Sequence, residues 1–145
     1  MKLHRVLAII ALCSTGAAAQ AVLTSVAKGD MSGHQNAKQV VIRTAAEWNA
    51  VWKEHSATEK LPAVDFASSM VVGIFLGTKP SAGHAVEIVA VRTADKDVVV
   101  EYVQKQPGRG TMAAQILTEP YHLVSVPKQA GTVRFVHVPD GAGGK

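Results

Sequence analysis

A single cysteine, Cys13, occurs in the 145 residues. It follows the apolar run Val6–Leu12, and Leu12 stands directly before it where a lipid-attachment site requires Gly, Ala or Ser. From Gln20 onward there is no thiol. That excludes disulfides, thiol nucleophiles and cysteine-ligated metals from the body of the chain. Aromatic residues are scarce as well, at 5%. The core must then come from Val, Ile, Leu and Ala, and β-branched side chains pack best on strands. Runs of like charge are missing, so no nucleic-acid or membrane face is marked out. H-E-x-x-H, G-x-S-x-G and a phosphate-cradling glycine loop with a following Lys-Ser or Lys-Thr are all absent. Acidic residues are spread singly, without a carboxylate dyad.

What is present begins with a leader. Lys2, His4 and Arg5 form a basic head, Val6–Leu12 is too short to span a bilayer, and Ala17-Ala18-Ala19 has small-x-small cleavage spacing. Residues 1–19 are therefore expected to be a cleaved signal peptide, with cleavage after Ala21 as the alternative. The product is expected to be periplasmic or secreted and to keep no membrane anchor. Lys2 and Arg5 supply two of the +4 formal charges, leaving +2. Residues 20–138 are expected to form one domain and 139–145 a flexible tail.

Within that domain, Thr44–Ser56 predicts a helix. Thr44-Ala45-Ala46-Glu47 has capping-box spacing, and Trp48, Val51, Trp52 and His55 recur on one face. Met70–Leu76, apolar on both faces, reads as a central strand, with Gly73 marking a bulge or a close backbone contact. Val86–Val91 and Val98–Val103 predict a hairpin across Thr93–Asp97. Ala21–Val26 and Gln39–Arg43 are expected to pair with each other. Met112–Thr118 is expected to be a strand, and 123–126 with 132–138 a closing hairpin. The sum is α+β, mainly antiparallel β as a sandwich or barrel-like sheet, with one N-terminal amphipathic helix packed on it.

Three turn-rich segments interrupt the strands: Gly77–His84, Gln106–Thr111 and Thr118–His122. None assembles a nucleophile, a base and an orienting group by its spacing. No catalytic residue, cofactor or metal ligand is expected; a hydrolase built on a histidine and a carboxylate from different loops is the reading least favoured. Prolines and glycines instead give loops a defined backbone shape, which lowers the entropy lost on binding. The expected contact residues are Lys79, Pro80, Ser81, Gly83, His84, Gly108, Arg109, Gly110, Pro120, Tyr121 and His122, with Tyr121 as the anchor.

The order of these features resembles the PrcB family C-terminal domain, named for a subunit of a bacterial surface protease complex. The likeness is carried by Val40-Val41-Ile42-Arg43-Thr44, Glu47-Trp48, Val51-Trp52, Val64-Asp65-Phe66, Gly77-x-Lys79-Pro80-Ser81-x-Gly83-His84, Pro107-Gly108-x-Gly110 and Thr118-x-Pro120-Tyr121-His122. It implies a non-catalytic protein that binds or stabilises an exported peptidase or other exported protein. The three loops are also similar in order to those of chagasin-like cysteine peptidase inhibitors, N-P-T-T-G-Y, G-x-G-G and R-P-W. Here Lys79 replaces Asn, Thr111 the last Gly, and Glu119 and Tyr121 the Arg and Trp. That similarity implies direct peptidase inhibition as the alternative function.

Overall fold

A computed structural model of the protein describes residues 19–141. Apart from Ala19, the expected leader lies outside the described residues, as does the end of the expected tail. The elements in chain order are β1 (Ala19–Gln20), β2 (Thr24–Gly29), β3 (Lys38–Ile42), α1 (Ala45–His55), β4 (Ser69–Phe75), β5 (Ala85–Ala94), β6 (Asp97–Lys105), β7 (Tyr121–Pro127) and β8 (Thr132–His137). They form two four-stranded sheets, β1-β5-β6-β8 and β2-β7-β4-β3. Every ladder is antiparallel except β6–β8. The fold is the expected α+β, a sandwich with α1 laid on the outer face of the second sheet, although α1 follows three strands and is not N-terminal as expected.

The layering follows from strand alternation. On β4, Met70, Val72 and Ile74 face the first sheet, where they meet Val86, Ile88, Val91, Val98 and Val100. Val71 and Phe75 point the other way, to Trp48, Trp52, Val40, Ile42, Tyr121 and Leu123. A run apolar on both faces is thus a strand with a core on each side. Gly73 sits between them because a Cβ there would lie 2.1 Å from Leu123 Cδ2. On β5 the register shifts between Ile88 and Ala90. One extra residue reverses the side-chain phase, so Val86 and Ile88 before the bulge and Val91 after it face the same core.

The helix forms as its sequence directs. Thr44 accepts a bond from the Glu47 amide, and the Glu47 carboxylate accepts from the Thr44 amide. Trp48, Trp52 and His55 are buried. Both indoles keep a polar partner, Trp48 Nε1 donating to the Pro62 carbonyl at 2.9 Å and Trp52 Nε1 to that of Glu59 at 3.0 Å. The connector after the helix is thereby held under it.

Three expectations need correction. The first two strands do not pair with each other: β2 pairs with β7 and β3 with β4, at opposite edges of one sheet. β7 and β8 are not a hairpin. Both edges of β7 are taken by β2 and β4, so the chain crosses to the other sheet and β8 pairs parallel with β6. Arg43 braces the crossing, donating to the carbonyls of Gln129 at 3.3 Å and Gly131 at 2.8 Å. Finally, Met112–Leu117 is not a strand; only Thr118 makes an isolated bridge, to Lys79.

Candidate protein-binding site

The β4–β7 ladder fixes where the loops go. Its last regular pair is Phe75 with Tyr121. One step on, the Leu76 amide donates to the Pro120 carbonyl at 2.9 Å; further out, Lys79 and Thr118 exchange both backbone bonds, at 2.7 and 3.0 Å. The segments 77–84 and 106–120 are the continuation of two paired strands, so they remain neighbours. Ala82 N–H donates to the Ala114 carbonyl at 3.0 Å, and the buried Thr118 hydroxyl to the Ser81 carbonyl at 2.9 Å. Gly83, at φ +90°, faces Pro107, whose ring carbon would lie 3.0 Å from an added Cβ. The two segments thus touch at three levels.

Gly77 turns the chain at the base of this cluster. Its φ is +72°, and a Cβ would fall 2.7 Å from the Ala37 amide nitrogen, so both conformation and space call for glycine. The Thr111 amide closes a turn onto the Gly108 carbonyl at 3.0 Å, with Gly110 at φ +75°.

The expected contact residues divide sharply. Pro80, Gly83, Gly108, Arg109 and Gly110 are exposed; Lys79, Ser81 and His84 are half-buried. Pro120, Tyr121 and His122 are buried. That corrects the expectation of Tyr121 as an exposed anchor. Its ring lies 4.3 Å from that of His55 and 6.0 Å from that of Phe75, inside the helix-side core. Burial pushes its phenol pKa up.

Between the second and third loops lies Met112–Leu117, expected to be a strand and irregular in the fold. Met112 is 99% exposed, Leu117 68% and Ile116 54%. The signal available in the sequence was its position, between a glycine turn and Glu119-Pro120, too short and too closely flanked by breakers to join a ladder.

The histidines are placed apart. His122 faces the space between the sheets. The Ile88 amide, at the β5 bulge, donates to its Nδ1 at 2.9 Å, which leaves the proton on Nε2 to be donated to Ser25 Oγ at 3.0 Å. Desolvation, followed by the nearby Lys28 cation, lowers its pKa to about 4. On the helix side, Ser32 Oγ lies 3.0 Å from His55 Nδ1, and His55 Nε2 lies 3.4 Å from Glu59 Oε2. The order Ser–His–Glu has the form of a relay. However, Ser32 is buried, its oxygen accepts the His34 amide, and the Gly33 amide is spent on the His55 carbonyl. With both amides engaged, this arrangement clasps the segment before β3 onto the end of α1. His55 Nε2 makes no aligned hydrogen bond, and burial lowers its pKa against the opposing pull of Glu59. Among the described residues, no three His, Cys, Asp or Glu side chains gather as metal ligands.

The class this geometry defines is a helix-backed β-sandwich carrying an interlocked loop cluster at one end. Residues 70–127 match the PrcB C-terminal family, and the match runs from β4 to β7, taking in the loop cluster whole. No curated protein and no solved structure matches the chain.

Proposed function

We propose that the protein is an exported, non-catalytic module that binds a folded protein partner, a peptidase or another member of a peptidase complex, through the loop cluster at 77–84 and 106–119. The single observation that carries this reading is the cross-pairing of Lys79 with Thr118. It holds two irregular segments in one defined shape without a disulfide, and such preorganisation lowers the cost of binding. The family match over the same residues supports a protease-complex association. Export rests on the leader: cleavage after Ala19 leaves Gln20 paired with Arg92, whereas cleavage after Ala21 removes both β1 pairs.

The surface for the partner is Pro80, Gly83 and the turn at Gly108–Gly110, with Lys79, Ser81 and His84 at its margin. Tyr121 and His122 act from below by holding the frame. The test is affinity capture from an extracellular and periplasmic fraction with the parent protein, a Pro80→Glu, Arg109→Glu double variant, and a Lys96→Glu control at the exposed turn of the β5–β6 hairpin, the end opposite Ala85 and Lys105. A peptidase captured by parent and control and lost from the loop variant supports the reading. Equal recovery from all three removes the loop surface as the contact.

A further inference from the structure

We propose that residues 30–37, the connector between β2 and β3, are a strap that couples the His55 imidazole to the loop cluster, so that acid slackens the loops while the rest of the fold stands. The inference rests on the protein-binding reading above and names how that surface is regulated. On its helix side the strap is held by residues around His55. The Gly33 amide donates to the His55 carbonyl at 2.8 Å, and a Cβ on Gly33 would collide with the Glu54 carbonyl oxygen. Ser32 Oγ lies 3.0 Å from His55 Nδ1, and His34 Nε2 lies 3.3 Å from the Val51 carbonyl oxygen. On its loop side, the Gln35 carbonyl accepts the Thr78 amide at 2.9 Å and the Asp30 carbonyl accepts the Glu119 amide at 2.7 Å. Thr78 directly precedes Lys79, and Glu119 directly follows Thr118. The strap therefore grips the Lys79–Thr118 bridge from both sides, and what frees its helix end loosens the bridge.

His55 is the point at which a proton acts on this strap. Its side chain is fully buried, walled by the rings of Tyr121 at 4.3 Å, Trp52 at 4.7 Å and Phe75 at 6.2 Å. The Ser32 hydroxyl accepts the His34 amide and keeps its hydrogen for His55 Nδ1, which leaves the imidazole proton on Nε2. A second proton goes to Nδ1, turns that acceptor into a donor and displaces the bond from Ser32. The titratable groups facing the imidazole are Glu59 from the connector after α1, His34 from the strap and Tyr121 from β7. Glu54 turns instead to His34 and Lys38. Glu59 favours the cation from 3.4 Å but is itself largely exposed, and His34 opposes it. Burial outweighs Glu59 and holds the His55 pKa below that of a free imidazole. An imidazole released to water titrates near about 6.5, so the opened strap binds more protons than the closed one. The clasp is complete above that pH and weakens as pH falls below it.

The experiment follows amide hydrogen exchange in the full chain at about pH 7.5 and about pH 5, comparing Thr78 and Glu119 with the β5–β6 hairpin. The expected result is that protection of Thr78 and Glu119 falls about fivefold relative to the hairpin at the lower pH. His55→Gln should abolish that dependence, and His122→Gln, in the other core, should preserve it. Ser32→Ala, a milder change, should lower loop protection already at the higher pH. Parallel loss in loops and hairpin, a pH dependence that survives in His55→Gln, or full loop protection in Ser32→Ala overturns the strap. Capture repeated at the two pH values separates this inference from the reading it rests on. Loops that slacken in acid, with no peptidase captured at either pH, support the strap and remove the binding reading. Equal capture at both pH values keeps the binding reading and overturns its regulation.

Discussion

The two faces of the β2-β7-β4-β3 sheet are built from different material. The face toward the other sheet is aliphatic, with Met70, Val72, Ile74, Val124 and Val126 against the valines of β5 and β6. The face toward α1 is aromatic: Trp48, Trp52, Phe75 and Tyr121, with His34 and His55 stacked among them. Each face admits polar atoms in its own way. The aliphatic side takes one imidazole, His122, fully paired and neutral. The aromatic side takes a chain of polar groups, Ser32, His55 and Glu59, that ends at the surface. A few aromatic residues therefore suffice when they are gathered on one face, and the 5% aromatic content is concentrated rather than diluted.

The largest effect expected from breaking this division is on the aromatic face. Trp48→Ala removes a buried indole and its bond to Pro62, and should cost about 3–5 kcal/mol, read as a lowered midpoint in urea unfolding. A loss under about 1 kcal/mol would place the stabilising core between the sheets instead.

Acid tests the aliphatic face. The unfolded chain protonates a histidine near 6.5, whereas His122 in the fold holds out to about 4. The unfolded state then binds more protons over that interval, so this contribution is complete above pH 6.5, declines as pH falls towards 4, and is flat below. The loss is on the order of 3 kcal/mol. His122→Gln should flatten this part of the pH–stability curve while lowering its plateau; an unchanged slope would mean that another group dominates acid sensitivity.

A smaller effect lies on the helix side alone. Gly73→Ala pushes a methyl into Leu123, whose side chain belongs to the helix-side cluster, and should cost about 1–3 kcal/mol. Gly73→Ala combined with Leu123→Val should recover part of that loss in a double-mutant cycle, and strict additivity would show that the contact is not shared. Smallest is the helix cap: Thr44→Ala should cost about 1 kcal/mol, seen as a modest drop in melting temperature with no change in loop binding.

The comparison also explains which features were legible in the sequence. The helix was, because its cap and its aromatic spacing are local. The β5–β6 hairpin was, for the same reason, and β4 announced two buried faces through an unbroken apolar run. The partners of β2, β3 and β8 were not, since pairing of distant strands leaves no local trace; the parallel β6–β8 ladder follows from β7 already having two neighbours. At the site, glycine and proline marked the loops correctly. They did not show that Tyr121 follows the last loop by one ladder step and turns inward, nor that Met112–Leu117, flanked by the glycine turn and by Glu119-Pro120, stays outside both sheets.

One consequence of the crossing braced by Arg43 concerns time. β5 and β6 close locally, but β2 meets β7 across a separation such as the 97 residues between Ser25 and His122, and β8 reaches β6 only after β7 has been laid down. Folding must close long loops before either core is complete, so this protein belongs among the slower folders of its size. The hairpin can form early and alone, while the interlocked loops at 77–84 and 106–120 acquire their shape only when β4 and β7 find each other. The loop cluster should therefore gain its protection from hydrogen exchange after the β5–β6 hairpin does during refolding.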